Sequence, residues 1–126
     1  MARNPVGWFE IYVQDMERAR RFYESVFQIK LDTLPPAGGA LAEMLTFPMD
    51  QTGQGATGAL VKMDQNPTGA GGTIVYFSSS DCSEESKRAM HNGGTVMKSK
   101  FAIGEHGYIA LLIDTEKNVI GVHSMK

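Results

Sequence analysis

One order of elements is written twice along this chain, and that repeat constrains the fold more than any single motif does. The segment "WFEIYV" (8–13), short and rich in aromatic and β-branched residues, predicts a strand. Asp15 follows as an N-cap. Met16, Ala19, Phe22, Tyr23, Val26 and Phe27 then recur at spacings of three and four, which predicts an amphipathic helix over about 15–27 with charged residues on its other face. Three further strands are expected in "QIKLDTL", "LAEMLTFP" and "TGALVKM", separated by "PPAGG" and the Gly-rich "MDQTGQGA". Beyond "DQNPTGAGG" the pattern restarts with "TIVYFSS", and Asp81-Cys82-Ser83-Glu84 reads as a capping box for a helix over about 83–92. Cys82, Ser86, Ala89 and Met90 are expected on its buried face, and Gly93-Gly94 stops it. The segments "TVMKSKF", "YIALLID" and "VIGVHSM" complete the second unit. The expectation is an α+β fold of two tandem βαβββ modules, about 5–65 and about 71–126, forming curled mixed sheets around a concave cup.

Setting Asp15 against Asp81 makes Trp8 equivalent to Ile74, Glu10 to Tyr76 and Tyr12 to Ser78. Alternation along a strand puts Trp8, Glu10 and Tyr12 on one face and Phe9, Ile11 and Val13 on the other. The second set suits packing against a helix. The first would look into the cup, and it places a carboxylate in an otherwise apolar run.

At 126 residues the chain is expected to be a single domain. Its net charge of -2, with Lys and Arg scattered, offers no electrostatic footprint for nucleic acid or an anionic membrane surface. No long apolar segment suggests a signal peptide or a membrane span, and a lone Cys82 allows no internal disulfide, so a cytoplasmic location is the expectation. Cys82 stands at a helix start, where the dipole favours a thiolate, but no histidine partner is evident and a packing role suffices.

The residues "WFEIYVQDMERARRFYESVF", "GGTIVYFSSSD" with a helix ending "NGG", and "DTEKNVIGVHS" together resemble the glyoxalase, bleomycin-resistance and extradiol-dioxygenase superfamily over essentially the whole chain. The resemblance implies paired βαβββ modules, a homodimer, and a small organic substrate or drug held in the cup. It also implies four metal-ligating positions on the first and last strands of the modules. Carried onto this sequence they fall at Trp8, at Ile74, within Gly58–Val61 and at Gly121, none of which offers a carboxylate or imidazole. No metal cofactor is therefore expected. The alternatives are a metal-dependent lyase or isomerase, related to lactoylglutathione lyase, or a dioxygenase, and a drug-sequestering binding protein.

Glu10 and His123 each lie two residues beyond a carried-over ligand position and point the same way, so they are the candidate catalytic pair. Trp8, Tyr12, Tyr76 and Ser78 are the candidate ligand-binding residues, the aromatic ones as stacking walls. A structural alternative has Glu10 bonded to Tyr76, Tyr12 or His123 and simply holding two strands in register. His91 suits a helix C-terminus, and His106 a solvated turn. Met44, Met49, Met63 and Met97 lie on or beside the strands that would wall the cup, as adaptable lining or core filling.

Overall fold

The computed structural model describes residues 3–34, 42–63, 68–69 and 71–126. The loop "PPAGG", the first residue of "LAEMLTFP" and much of "DQNPTGAGG" lie outside them. The elements are β1 (Val6–Tyr12), α1 (Met16–Phe27), β2 (Asp32–Thr33), β3 (Ala42–Thr46), β4 (Thr57–Met63), β5 (Thr73–Ser78), α2 (Cys82–His91), β6 (Thr95–Ala102), β7 (Tyr108–Ile113) and β8 (Val119–Ser124), with a 3-10 turn over Gly104–His106 before β7. The α+β, βαβββ repeat is thus the observed order. Two compact units result, residues 8–73 and residues 74–126 together with 1–7.

In the first unit the strand order is β2-β3-β4-β1, with β1 parallel to β4 and the other pairs antiparallel. Asp15 caps α1 as expected, its Oδ1 accepting from the Arg18 N–H at 3.0 Å. The core gathers Met16, Leu31, Leu45 and Leu60, against which Ile11, Val13, Ala19, Tyr23 and Phe47 pack. The apolar stripe of α1 is narrower than its sequence suggests. Only the seam Met16, Ala19 and Tyr23, spaced i, i+3, i+7, meets the sheet, while Phe22, Val26 and Phe27 are more than half exposed. The expected strand over "QIKLDTL" shrinks to Asp32–Thr33. Gln28 is in the left-handed region at φ 55° and ends α1, and the Leu31 N–H is taken by the Glu24 carboxylate at 2.8 Å, so that stretch turns under the helix before it can pair.

In the second unit the order is β5-β8-β7-β6, with β5 parallel to β8 and the rest antiparallel. Cys82, Ala110, Leu112 and Val122 form its core beneath α2. Asp81 caps α2 through the Ser83 N–H, but the reciprocal half of the capping box is absent. The Asp81 N–H donates to Ser79 Oγ, and Glu84 pairs with Lys87. Met90 is 64% exposed and takes no part in the buried face. A buried hydroxyl supports the helix start instead: the Cys82 N–H donates to Ser124 Oγ at 3.0 Å. The N-terminal arm joins this unit through the Ser78 N–H, which donates to the Pro5 carbonyl at 2.8 Å. No described helix is long and apolar enough to cross a membrane.

Candidate functional site

Strand alternation in β1 does what its sequence suggests. Phe9, Ile11 and Val13 lie on the α1 side, Phe9 against the Phe47 ring at 5.4 Å between centroids. Trp8, Glu10 and Tyr12 share the opposite face and converge. The Trp8 indole N–H donates to Glu10 Oε2 at 3.2 Å and the Tyr12 hydroxyl to Glu10 Oε1 at 2.9 Å. Residues two apart on one strand cannot usually meet through short side chains; two long aromatic donors flanking a carboxylate can. All three are half-buried.

The register supplies the floor beside this carboxylate. Glu10 stands opposite Ala59, which stands opposite Thr46; Tyr12 stands opposite Val61, which stands opposite Met44. Ala59 and Val61 are buried, and Met44 is half-buried. The result is an oriented carboxylate next to a small-residue, apolar floor. An ionised carboxylate is an acceptor-only group, and hydrogen bonds to it are stronger than those between neutral groups. A separate open groove of about 410 Å³ runs along the start of α1, between Val13, Arg18, Phe22 and Thr68, on the helix side of the sheet and away from Glu10.

In the second unit Tyr76 stands opposite Gly121, which stands opposite Leu111, and Ser78 opposite His123, which stands opposite Ile109. The Tyr76 ring packs against Gly121: a Cβ added there would sit 2.8 Å from Cγ and closer still to Cδ2 and Cε2. Tyr76 itself is buried. His123 Nε2 lies 2.6 Å from the His106 carbonyl, an arrangement that fixes the ring with Nε2 as donor. The structure therefore brings Trp8, Glu10 and Tyr12 together in one unit. It places Tyr76, Ser78 and His123 on one sheet face in the other. His106 is in a turn, as expected, yet its carbonyl holds His123, a contact with no signal in the sequence because a backbone oxygen has no residue type. Met49, Met63 and Met97 are exposed, so none of them fills a core.

On the α2 side of the second unit, Lys100 joins Asp81 at 2.9 Å and the Lys126 carbonyl at 2.9 Å. The Ser83 hydroxyl, then the Lys100 ammonium, hold the Asp81 carboxyl well below the usual carboxylate range, and the Asp81 hydrogen bond raises Lys100. This cluster clamps the start of α2 to the chain end and has the character of a structural tie.

The four positions onto which the resemblance carries metal ligands hold an indole at Trp8, an aliphatic chain at Ile74, the segment Gly58–Val61 and Gly121. Among the described residues no three His, Cys, Asp or Glu side chains gather closely enough to hold an ion.

A family model described as "Glyoxalase/Bleomycin resistance protein/Dioxygenase superfamily" matches residues 6–121. No curated protein matches the chain. Among solved structures, a hypothetical protein from Bacillus halodurans superposes with a TM-score of 0.68 at 12% identity, covering 96% of this chain and 94% of its own. Streptomyces coelicolor methylmalonyl-CoA epimerase, bound to 2-nitronate-propionyl-CoA, gives 0.67 at 14% identity and 98% of each chain. The epimerase from Mycobacterium tuberculosis gives 0.68 at 12%, over 97% of this chain and 88% of its own. At such identities the likeness is one of fold.

Proposed function

Because this chain belongs to the glyoxalase/bleomycin resistance protein/dioxygenase superfamily, we propose that it binds a small organic molecule on the Trp8, Glu10 and Tyr12 face of its first unit, without a divalent metal. The observation that carries this reading is the Glu10 carboxylate, oriented by two aromatic donors beside the Ala59 and Val61 floor. Both oxygens already accept hydrogen bonds, which suits a fixed acceptor for a ligand's N–H or O–H groups and favours binding over proton abstraction. Trp8 and Tyr12 would supply ring faces for a planar ligand.

The residues at the four carried-over positions do not fit a divalent ion, and Tyr76 fills the space a longer side chain at Gly121 would need. No step of this reading runs through a metal. A second reading, an enzyme with Glu10 as base and His123 or Tyr76 as proton donor, draws on the structural neighbours named methylmalonyl-CoA epimerase. A homodimer is part of the proposal by analogy with the superfamily. Trp8 is the only tryptophan, so its emission reports directly on the site. Titration with bleomycin and with acyl-CoA thioesters should change that emission for at least one class; a Trp8 signal blind to every class, with ligand bound elsewhere by native mass spectrometry, would overturn the assignment.

A further inference from the structure

Helix α1 presents an apolar surface that the rest of its unit leaves open. Arg18, Phe22 and Val26 follow one another at i, i+4 and i+8, so they form one row along the helix, with Arg21 and Ser25 on its outer side. Phe22 and Val26 are more than half exposed, and so is Phe27 at the end of the helix. The two exposed rings are nevertheless held in place. Tyr23 stands 5.1 Å from Phe22 and 6.1 Å from Phe27, centroid to centroid, and meets Phe47, which packs on the core, at 5.7 Å. Toward the helix start the row runs into the open groove of about 410 Å³ between Val13, Arg18 and Phe22. An apolar surface braced from beneath loses little freedom when it is covered, which is the condition for a preorganised contact.

Charge decides what kind of occupant fits. Arg20, on the opposite flank of the helix, lies 3.6 Å from Glu17 and 3.7 Å from Glu24. Arg18 and Arg21 form no ion pair among the described residues. The Asp15 carboxylate near them is turned to the Arg18 N–H as the helix cap. Two uncompensated arginines beside exposed rings, in a chain whose net charge is -2, reproduce the composition of a protein interface, where aromatic residues and Arg are enriched and Lys, Glu and Asp depleted. A second copy would match the apolar row, but its own row carries two more arginines and no acidic residue. Phe22 and Phe27 together expose about 200 Å² of ring, a small part of the roughly 800 Å² that each partner of a standard interface hides. A short amphipathic segment with acidic residues satisfies both the area and the charge.

We infer that the Arg18, Phe22 and Val26 row docks an amphipathic helix of a partner protein, apolar on its contacting face and carrying Asp or Glu along the margin. The row lies on the helix side of the sheet, away from Glu10, so the inference stands apart from the reading there. The probe is a displayed library of short helical peptides with Leu along one face and the flanking positions randomised among Asp, Glu, Lys, Arg and Gln. Selection on the wild-type chain should enrich Asp and Glu at the flanks. A synthetic copy of the selected peptide should bind Phe22→Ser about tenfold more weakly, the loss expected of an aromatic anchor. Arg18→Glu with Arg21→Glu should weaken it by a similar factor and turn the selected flanks to Lys and Arg. Phe22 and Val26 are exposed, so Tm should hold in Phe22→Ser; Val26→Ser is the second variant if it does not. Failure to select any peptide, selected flanks without acidic bias, or equal binding by wild type and both serine variants would overturn the inference. A wild-type dimer that Phe22→Ser splits in sedimentation would also overturn it, by assigning the row to a second copy, as would Phe22-dependent binding to phosphatidylglycerol vesicles with no peptide selected.

Discussion

Gly121→Ala tests the packing of Tyr76 on strand β8. The added methyl would meet three ring atoms inside contact distance, Cγ at 2.8 Å and Cδ2 and Cε2 nearer. Tyr76 is only 5% exposed, so its ring has little room to swing clear. Overpacking of this kind costs about 1–3 kcal/mol. Replacing glycine where the backbone tolerates alanine would normally stabilise by about 0.4–1 kcal/mol through the unfolded chain, so the sign alone is informative. For a chain of this size a cost of about 2 kcal/mol lowers Tm by about 6–10 °C, readable by calorimetry or circular dichroism. The double variant Gly121→Ala with Tyr76→Ala supplies the control: removing the ring should cancel most of the Gly121→Ala penalty, a coupling of about 1–2 kcal/mol. A neutral Gly121→Ala, or a penalty that persists in full without the ring, would refute the stacked arrangement.

Ser124→Ala should destabilise by about 1–3 kcal/mol in urea melts, because it strips the buried Cys82 N–H of the Ser124 Oγ acceptor at the start of α2; Ser124→Thr should recover most of that. Asp81 has a folded pKa below its unfolded value, so its stabilising contribution is complete above about pH 4 and declines as pH falls further. Asp81→Asn should therefore flatten the acid limb of Tm against pH below that point, and an unaltered limb would contradict the role of the Ser83 and Lys100 contacts. Sedimentation at micromolar concentration should give twice the 13.8 kDa chain mass, and a monomer alone would remove the dimer from the proposal.

The repeat of elements was legible because it rests on periodicity and capping, which are local. Asp15 and Asp81 announced both helices to within a residue, and alternation placed Trp8, Glu10 and Tyr12 on one face and Ile11 and Val13 on the other. What escaped was set by tertiary geometry. The apolar residues of α1 predicted a broad buried stripe, yet only one seam of it meets the sheet. The strand expected from "QIKLDTL" lost most of its length because Glu24 claims the Leu31 N–H across seven residues. Within the site, Glu10 was conspicuous as a charge in an apolar strand and Tyr12 was among its expected partners, but the Trp8 donor depended on side-chain reach along a single strand. The contact of His123 with the His106 carbonyl and the seat of Tyr76 on Gly121 needed the register of three strands, which composition does not encode.

The most direct test of metal-free binding at Glu10 is the Trp8 emission of the chelator-treated protein, titrated with whichever ligand class shifts it, for wild type and Glu10→Gln side by side. The account predicts that chelator leaves wild-type affinity and Tm unchanged, since an ion bound only to the native state would have raised stability by linkage. It also predicts that Glu10→Gln weakens binding about tenfold or more, the cost of losing a charge-assisted hydrogen bond of about 1.5–3 kcal/mol. Binding that vanishes with chelator and returns with one nickel, zinc, iron or manganese per chain, or that is indifferent to Glu10→Gln, would contradict it.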